Sequence, residues 1–167
     1  MLFGEPLEQN CRRNRTKDTG LNMRRHLEGT RMHEFHWSEW YPLSPRDIGI
    51  PDEPGIYEIR TDYEFGRLRG SSRVVYIGST MNSLKQRLVH QRIKEPSRTE
   101  KLLRKAGHAL EFRFATATDG ETAKRMEAQR LMDYEREHWE LPPGNGVMPY
   151  TRLPEQERQE YIRWIDN

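Results

Sequence analysis

The stretch RVVYIGSTMNSLKQRLVHQ, residues 73–91, changes its pattern in the middle. Its first part is rich in β-branched and aromatic residues, which is typical of a strand over residues 73–78. A Gly-Ser-Thr turn follows, and leucines then recur at helical spacing. The stretch therefore predicts a strand that leads through a turn into a helix over residues 83–94, with Asn82 or Ser83 as the N-cap.

The rest of the chain supplies partners for this strand and helix. A second strand precedes it, and the intervening DYEFGRLRGSS contains two glycines and two serines, which predicts a hairpin with an extended tip. The order of elements predicts an α+β fold with a small three-stranded, mostly antiparallel sheet flanked by helices. We expect strands over residues 55–61, 73–78 and 109–117, and helices over residues 83–94, 98–106, about 118–139 and 154–166.

Composition divides the chain into three segments. Only 34% of its 167 residues are hydrophobic and 32% are charged, which predicts one modest core and a poorly buried segment. We expect a basic, flexible N-terminal arm over residues 1–36 and a folded domain over residues 37–150. Residues 151–167 are expected to form a C-terminal helix packed on that domain or extending it. The aromatic residues 37–45 are expected to pack outside the core.

The single cysteine, Cys11, excludes an intrachain disulfide and a cysteine-rich zinc site. The sequence has no apolar run of about eighteen residues that would span a membrane. These two features predict a cytoplasmic protein without a membrane partner.

Charge is distributed unevenly along the chain. Residues 67–105 contain eleven Lys or Arg and two Glu, which gives a net charge of +9, whereas the whole chain carries +2. Residues 32–66 contain two bases and eight acids, a net charge of −6. A basic block of this size favours a polyanion partner over a merely solvated helical face.

Glu127 lies on the apolar side of the long predicted helix. At about 100° per residue, Ala123, Leu131 and Tyr134 all fall within about 40° of it. A carboxylate that faces a sheet is costly unless it is paired or binds a cation. The helical pattern therefore leaves two interpretations open, a metal ligand and a buried Glu–Arg pair.

The helix that follows the opening strand carries a basic flank. Arg87, His90 and Lys94 lie at positions i, i+3 and i+7, where they would meet phosphate oxygens or remain solvated. The turn before the helix brings backbone amides and hydroxyls near a helix N-terminus, which favours phosphate. The expected nucleic-acid contacts in this region are Gly78, Ser79, Thr80, Lys85 and Lys94.

Two tyrosines, Tyr57 and Tyr76, lie on the neighbouring predicted strands. A strand tyrosine usually packs, and as a base it must lose a proton whose ordinary pKa is about 10. A nearby cation such as Arg87 or a metal-bound water would lower that barrier.

Together these features resemble the GIY-YIG nuclease family. The first motif is Gly55-Ile56-Tyr57 and the second is Tyr76-Ile77-Gly78, and the resemblance covers about residues 53–148. It implies a small antiparallel sheet with flanking helices and a metal-dependent endonuclease that hydrolyses DNA phosphodiester bonds.

The resemblance also implies a role for each motif residue. One of Tyr57 and Tyr76, or a water or side chain between them, would deprotonate the attacking water. Arg87 would hold the scissile phosphate, and Glu127 would hold one Mg²⁺ or Mn²⁺ ion. Asn145 would close the site by hydrogen bonding.

The chain departs from the family's common pattern in two places. Residues 58–75, between the two motifs, form a longer gap than is common, and the arginines at its tip would make it a DNA-contacting hairpin. Several relatives have a lysine after the second motif or a histidine one turn beyond the arginine, where this chain has Ser79-Thr80 and Gln91. His90 is the nearest candidate for that histidine. The tip arginines are Arg67, Arg69 and Arg73.

Two other functions stay open at this point. One is a catalytically inactive nucleic-acid-binding module of the same fold, and the other is a phosphate-binding interaction module. Since the sequence shows no base-reading motif, a structure-selective or weakly specific nuclease acting on duplex or branched DNA is favoured over a site-specific one. A homodimer that makes paired cuts is compatible with the sequence.

Overall fold

The structure, a computed structural model, describes residues 35–44, 49–148 and 152–165. These residues belong to one unit that begins at Phe35. Apart from its last two residues, the predicted N-terminal arm over residues 1–36 lies outside the described part of the chain.

A four-stranded antiparallel sheet, in the order β1-β4-β2-β3, forms the centre of the described unit, and helices flank it. The predicted α+β class is confirmed, but the expectation of three strands is wrong by one. The strands are β1 (Tyr41–Pro42), β2 (Gly55–Gly66), β3 (Ser71–Thr80) and β4 (Leu110–Thr116). The helices are α1 (Gln86–Ile93), α2 (Arg98–Lys105), α3 (Gly120–His138) and α4 (Glu155–Ile165).

The additional strand, β1, comes from the aromatic segment that we expected to pack outside the core. Tyr41 pairs with Phe112 and Pro42 with Glu111. Two residues are too few to show the alternation by which a strand is recognised in a sequence. Proline has no N–H to donate, and an edge strand such as β1 tolerates it.

The sheet has a core cluster on each face because side chains alternate along β2. Ile56 packs with residues of α3, whereas Tyr57 and Ile59 pack with residues of β4 and of the chain around α1. The first cluster includes Ile77, Leu131, Met132 and Tyr134, and the second includes Val75, Leu84, Leu88 and Phe112.

A buried carboxylate fixes α3 against the sheet. Glu58 on β2 is fully buried, and it accepts hydrogen bonds from Arg113 Nε at 2.7 Å and from Arg130 Nε at 2.6 Å. The guanidinium of Arg113 also lies 4.3 Å from the Trp37 ring centroid and 4.7 Å from that of Trp40. One carboxylate therefore links β2, β4 and α3, and the two indoles cover its outer arginine.

Helix α1 is a π-helix rather than the expected α-helix. Its approach is an ordinary helical turn, in which Ser83 accepts a hydrogen bond from Gln86 N at 2.9 Å, the bond expected of an N-cap. Within a π-helix the hydrogen bonds run from i to i+5, so residues five apart become neighbours. Arg87 and Arg92 are such a pair.

The N-cap of α3 is Asp119, close to the helix start predicted at about residue 118. Its carboxylate accepts from Thr122 N at 2.8 Å, and Glu121 in the first turn pairs with Lys124 at 3.0 Å. Acceptance of these hydrogen bonds lowers the pKa of Asp119. Helix α3 ends one residue before the predicted end near residue 139.

Helix α4 matches the predicted C-terminal helix and packs on the domain. Leu153 before it and Tyr161 within it join the core cluster that contains Leu131 of α3. Among the helices of the described residues, each is too short or too polar to cross a lipid bilayer.

Candidate functional site

Strand pairing brings the two predicted tyrosines together. Tyr57 of β2 lies opposite Gly78 of β3, and Ile59 lies opposite Tyr76. The two phenol rings are tilted by 34° with their centroids 5.9 Å apart. The two tyrosines on these neighbouring strands are therefore in contact.

A β-bulge directs Tyr76 toward Tyr57. Ile59 pairs with Tyr76 but Arg60 pairs with Val74, so Val75 is an additional residue in β3. Bulges of this kind turn one side chain relative to the regular alternation of a strand. Here Tyr76 packs against the same core cluster that contains Tyr57.

Gly78 lies directly against the hydroxyls of both Tyr57 and Tyr76. A Cβ atom there would sit 2.5 Å from Tyr76 Cε1, 2.9 Å from Tyr76 Oη and 3.0 Å from Tyr57 Oη. Gly55 is equally restricted, since its Cβ would sit 2.4 Å from the Ala115 carbonyl oxygen. Both motif glycines therefore permit close approaches that any side chain would prevent.

The two tyrosines differ in their environment. Tyr57 is fully buried, whereas Tyr76 is partly exposed. Burial, followed by the neighbouring Tyr76, raises the pKa of Tyr57 well above its ordinary value, although Arg92 and Arg87 act in the opposite direction. Tyr57 consequently keeps its proton at neutral pH, and Tyr76 is the less buried of the two tyrosines.

Arg87 lies where the sequence predicts a phosphate-binding arginine. It is partly exposed, it donates to Gln91 Oε1, and its charge is near enough to lower the pKa of Tyr57. A guanidinium in this position can accept a phosphate while it remains beside the tyrosine pair.

Arg92 is the residue of the site that the sequence analysis missed. Its Nε donates to Tyr57 Oη at 3.1 Å, and its guanidinium carbon lies 3.9 Å from the centroid of the Tyr76 ring. Its Nη1 pairs at 3.1 Å with Glu100, which is buried at the start of α2. In an α-helix Arg92 would point about 140° away from Arg87, whereas in this π-helix the charges of both arginines act on Tyr57.

Glu127 faces the sheet, as its helical position predicts. Its Oε2 accepts from Ser79 Oγ at 2.6 Å and from Arg152 Nη1 at 2.8 Å. The Glu127 side chain is 13% exposed and that of Arg152 is 43% exposed. The Glu–Arg pair is thus present, and the arginine side of it is open to solvent.

The same carboxylate fits a hard divalent cation. Glu127 and the Ser79 hydroxyl offer oxygen donors, and Mg²⁺ is commonly held by one or two carboxylates together with waters and substrate phosphate. No group of three or more His, Cys, Asp or Glu with metal-binding geometry occurs among the described residues. An ion at Glu127 would therefore depend on water and phosphate for its other ligands.

Asn145 closes the edge of β3. Its Nδ2 donates to the Ile77 carbonyl oxygen at 2.8 Å, and its Oδ1 accepts from Ile77 N at 3.0 Å. The neighbouring Gly144 N donates to the Val75 carbonyl at 2.7 Å. Asn145 therefore holds the backbone of the second motif rather than contacting the phenols.

The remaining predicted residues around the turn lie outside the tyrosine pair. His90 is exposed, and its Nδ1 lies 3.2 Å from Lys94 Nζ. The Thr80 hydroxyl accepts from Ser83 N at 3.3 Å, so it stabilises the turn instead of being a free phosphate ligand. Lys85 and Lys94 are exposed on the outer side of the chain around α1.

The three hairpin arginines do not share one environment. Arg67 is only 8% exposed, pairs with Glu140 at 3.0 Å and also donates to the Leu141 carbonyl. Arg69 and Arg73 are exposed. The structure therefore leaves two of the three predicted arginines available to a ligand, because Arg67 joins the hairpin to the end of α3.

Comparison with protein-family models, with curated proteins and with solved structures found no match for this chain.

Proposed function

We propose that this chain is a metal-dependent endonuclease of the GIY-YIG type, which hydrolyses DNA phosphodiester bonds. The observation that carries the proposal is the convergence of the Tyr57 and Tyr76 hydroxyls over Gly78, beside two arginines. Packing alone does not require two phenol hydroxyls to meet over a backbone position that excludes every side chain.

Because β3 is an outer strand of the sheet, a ligand at its edge can reach side chains on both faces of the strand. Tyr76 lies on one face, and Ser79, one residue after Gly78, holds Glu127 on the other. A phosphate that docks over the edge at Gly78 and Ser79 would reach the tyrosines and the carboxylate together. This arrangement places Glu127 and the two tyrosines on opposite faces of one outer strand of the sheet.

The burial and charge of each side chain indicate its role in the proposed reaction. Tyr76, once its own proton has passed to solvent, takes the proton from the attacking water directly or through a water that it holds, because Tyr57 is buried and keeps its own proton. Arg87 binds the scissile phosphate and stabilises its developing charge. The water oxygen forms a bond to phosphorus as the bond to the leaving sugar oxygen breaks. Glu127 would hold the divalent cation, which when bound would supply Lewis-acid polarisation of the phosphate.

A nucleic-acid-binding module without cleavage is the second candidate. The contact between Arg152 and Glu127 favours it, since the guanidinium neutralises the carboxylate without any metal. In the nuclease the cation would have to displace Arg152. The partial exposure of the Arg152 side chain permits this displacement.

Plasmid cleavage tests the nuclease proposal. We expect the protein to nick supercoiled DNA with Mg²⁺ or Mn²⁺ and not with EDTA. Glu127→Gln should lower the rate about 100-fold or more because the carboxylate charge is lost. The matched control is Glu137→Gln, an exposed carboxylate on the same helix, and it should cleave normally.

Direct metal binding separates the two candidates. Titration of Mn²⁺ followed by electron paramagnetic resonance should show one site that Glu127→Gln abolishes and Glu137→Gln retains. DNA binding that weakens with salt, combined with no Mn²⁺ site and no cleavage, would instead establish the binding module.

A further inference from the structure

Trp139, the residue that ends α3, has an unusual backbone and an unusual exposure. Its φ of 60° and ψ of 19° place it in the left-handed region, which glycine normally occupies at a helix end. Its side chain is nevertheless 58% exposed. A bulky indole in a strained and solvated position indicates that the side chain is used.

Hydrogen bonds clamp Trp139 to the tip of the β2–β3 hairpin. Arg69 N donates to the His138 carbonyl at 3.1 Å, and His138 Nδ1 lies 3.1 Å from the Arg69 carbonyl oxygen. Leu68 N donates to Glu140 Oε1 at 2.7 Å. The hairpin tip and the end of α3 are therefore fixed to each other on both sides of the indole.

Apolar and cationic side chains lie together where the hairpin tip and the end of α3 are joined, a region that we call the clamp. Leu68 at the tip is 74% exposed, and the guanidinium carbon of Arg69 lies 5.6 Å from the Trp139 ring centroid. Arg73, a little further along β3, is also exposed. These groups begin the block of net charge +9, so a flat apolar surface adjoins positive charge that is free to meet an anion.

We propose that Trp139, Leu68 and Arg69 form a site that stacks one unpaired nucleobase of a DNA substrate, with Arg69 meeting an adjacent phosphate. The inference rests on the proposed nuclease function and specifies its substrate as DNA with an unpaired base. A rigid exposed indole offers the flat surface on which any base can stack. Two exposed apolar side chains are far fewer than the roughly 20–30 residues that a protein partner would cover.

The position of the site relative to the tyrosines sets where the unpaired base lies. Strand β3 runs from Ser71, next to the tip, to Gly78 under the phenols, with the bulge between. Without the bulge residue Val75, about six residue steps of about 3.3 Å separate Ser71 from Gly78, which is roughly 20 Å. At 3.4 Å per nucleotide, the unpaired base would lie about six nucleotides from the scissile bond.

Binding in EDTA tests the inference without cleavage. The probes are a 24-base-pair duplex with one unpaired 2-aminopurine and the same duplex fully paired. The native protein should bind the first about 10-fold more tightly, with quenched 2-aminopurine fluorescence, because the unpaired base stacks on the exposed indole. Trp139→Gly should abolish the preference while it relieves the left-handed backbone, so that folding is not at risk.

Two further variants sharpen the test. Trp139→Phe should retain part of the preference, and Trp164→Ala should retain all of it, because Trp164 is a 37% exposed tryptophan on α4 whose ring packs with that of Tyr161. Equal affinity of the native protein for both probes, or an unchanged preference in Trp139→Gly, would overturn the inference.

The outcome is distinguishable from failure of the nuclease proposal. If plasmid nicking depends on Glu127 but the preference survives Trp139→Gly, the stacking site alone is refuted. If nicking never occurs but the preference follows Trp139, the stacking site stands and the cleavage function fails.

Discussion

Gly78 shows how one residue sets the geometry of the candidate site. Its missing Cβ leaves room for the Tyr76 ring and for two hydroxyls within 3.0 Å of one point. Gly55 does the same for the approach of β4 and Leu84 to β2. The sheet therefore requires glycine at both motif positions for steric reasons. The close packing at these glycines also fixes the distance between Tyr57 and Tyr76.

Replacement of Gly78 by alanine should disturb the tyrosine pair directly. We expect a loss of about 1–3 kcal/mol in the free energy of unfolding, as for other overpacked sites, together with loss of DNA cleavage. Urea unfolding and plasmid nicking measure the two effects. Gly66→Ala is the matched control, because nothing lies within 4 Å of a Cβ at that position. Normal stability of Gly78→Ala would show that the phenols are free to move apart.

At the scale of elements, the connection between α1 and α2 supports the site from behind. Arg92 of α1 reaches Glu100, whose carboxylate also accepts from Ser97 N at 3.2 Å in the capping box of α2. The same arginine donates to Tyr57. The start of α2 is thereby coupled to the position of a phenol on β2.

Breaking this connection should destabilise the protein strongly. Arg92→Leu leaves the buried Glu100 without its charged partner, which typically costs about 3–5 kcal/mol. The double variant Arg92→Leu, Glu100→Gln should recover much of the loss, since an amide can still complete the capping box without a buried charge. Urea unfolding of the single and double variants checks this coupling, and His90→Ala on the exposed side of α1 is the control. Additive effects of the two substitutions would contradict it.

The elements also show what sequence patterns predict well. Alternation located β4, and helical spacing placed Glu127 on the face of α3 that meets the sheet. The π-helix was not predictable, because leucine spacing over two turns is compatible with both helix types. Arg92 was missed for that reason. Arg152 was missed because it approaches Glu127 from 25 residues away, across a loop whose path no local pattern encodes.

At the scale of the whole molecule, buried phenols link stability to alkaline pH. Burial raises the pKa of Tyr57 above its ordinary value. Above about pH 10 the unfolded chain releases this proton while the folded chain keeps it. The stability that is linked to the protonated Tyr57 is fully present below that pH. It is lost as the pH rises toward the pKa of Tyr57 in the folded protein.

The expected slope rises toward about 1.4 kcal/mol of unfolding free energy per pH unit for Tyr57 alone as the pH exceeds 10. Between pH 10 and 11, the native protein should therefore lose stability more steeply than Tyr57→Phe does. Urea unfolding at both pH values measures the difference. Tyr63→Phe, which removes an exposed phenol, should keep the steep slope. Equal slopes for the native protein and Tyr57→Phe would mean that the phenol ionises freely in the fold.

The loop that carries Asn145 also affects how copies of this chain meet in concentrated solution. An outer strand exposes backbone groups that another chain can extend into a larger sheet. Gly144 and Asn145 occupy the backbone groups of Val75 and Ile77, so neighbouring copies cannot add a strand there. The residues that steady the second tyrosine motif thus also protect this edge of β3 against aggregation.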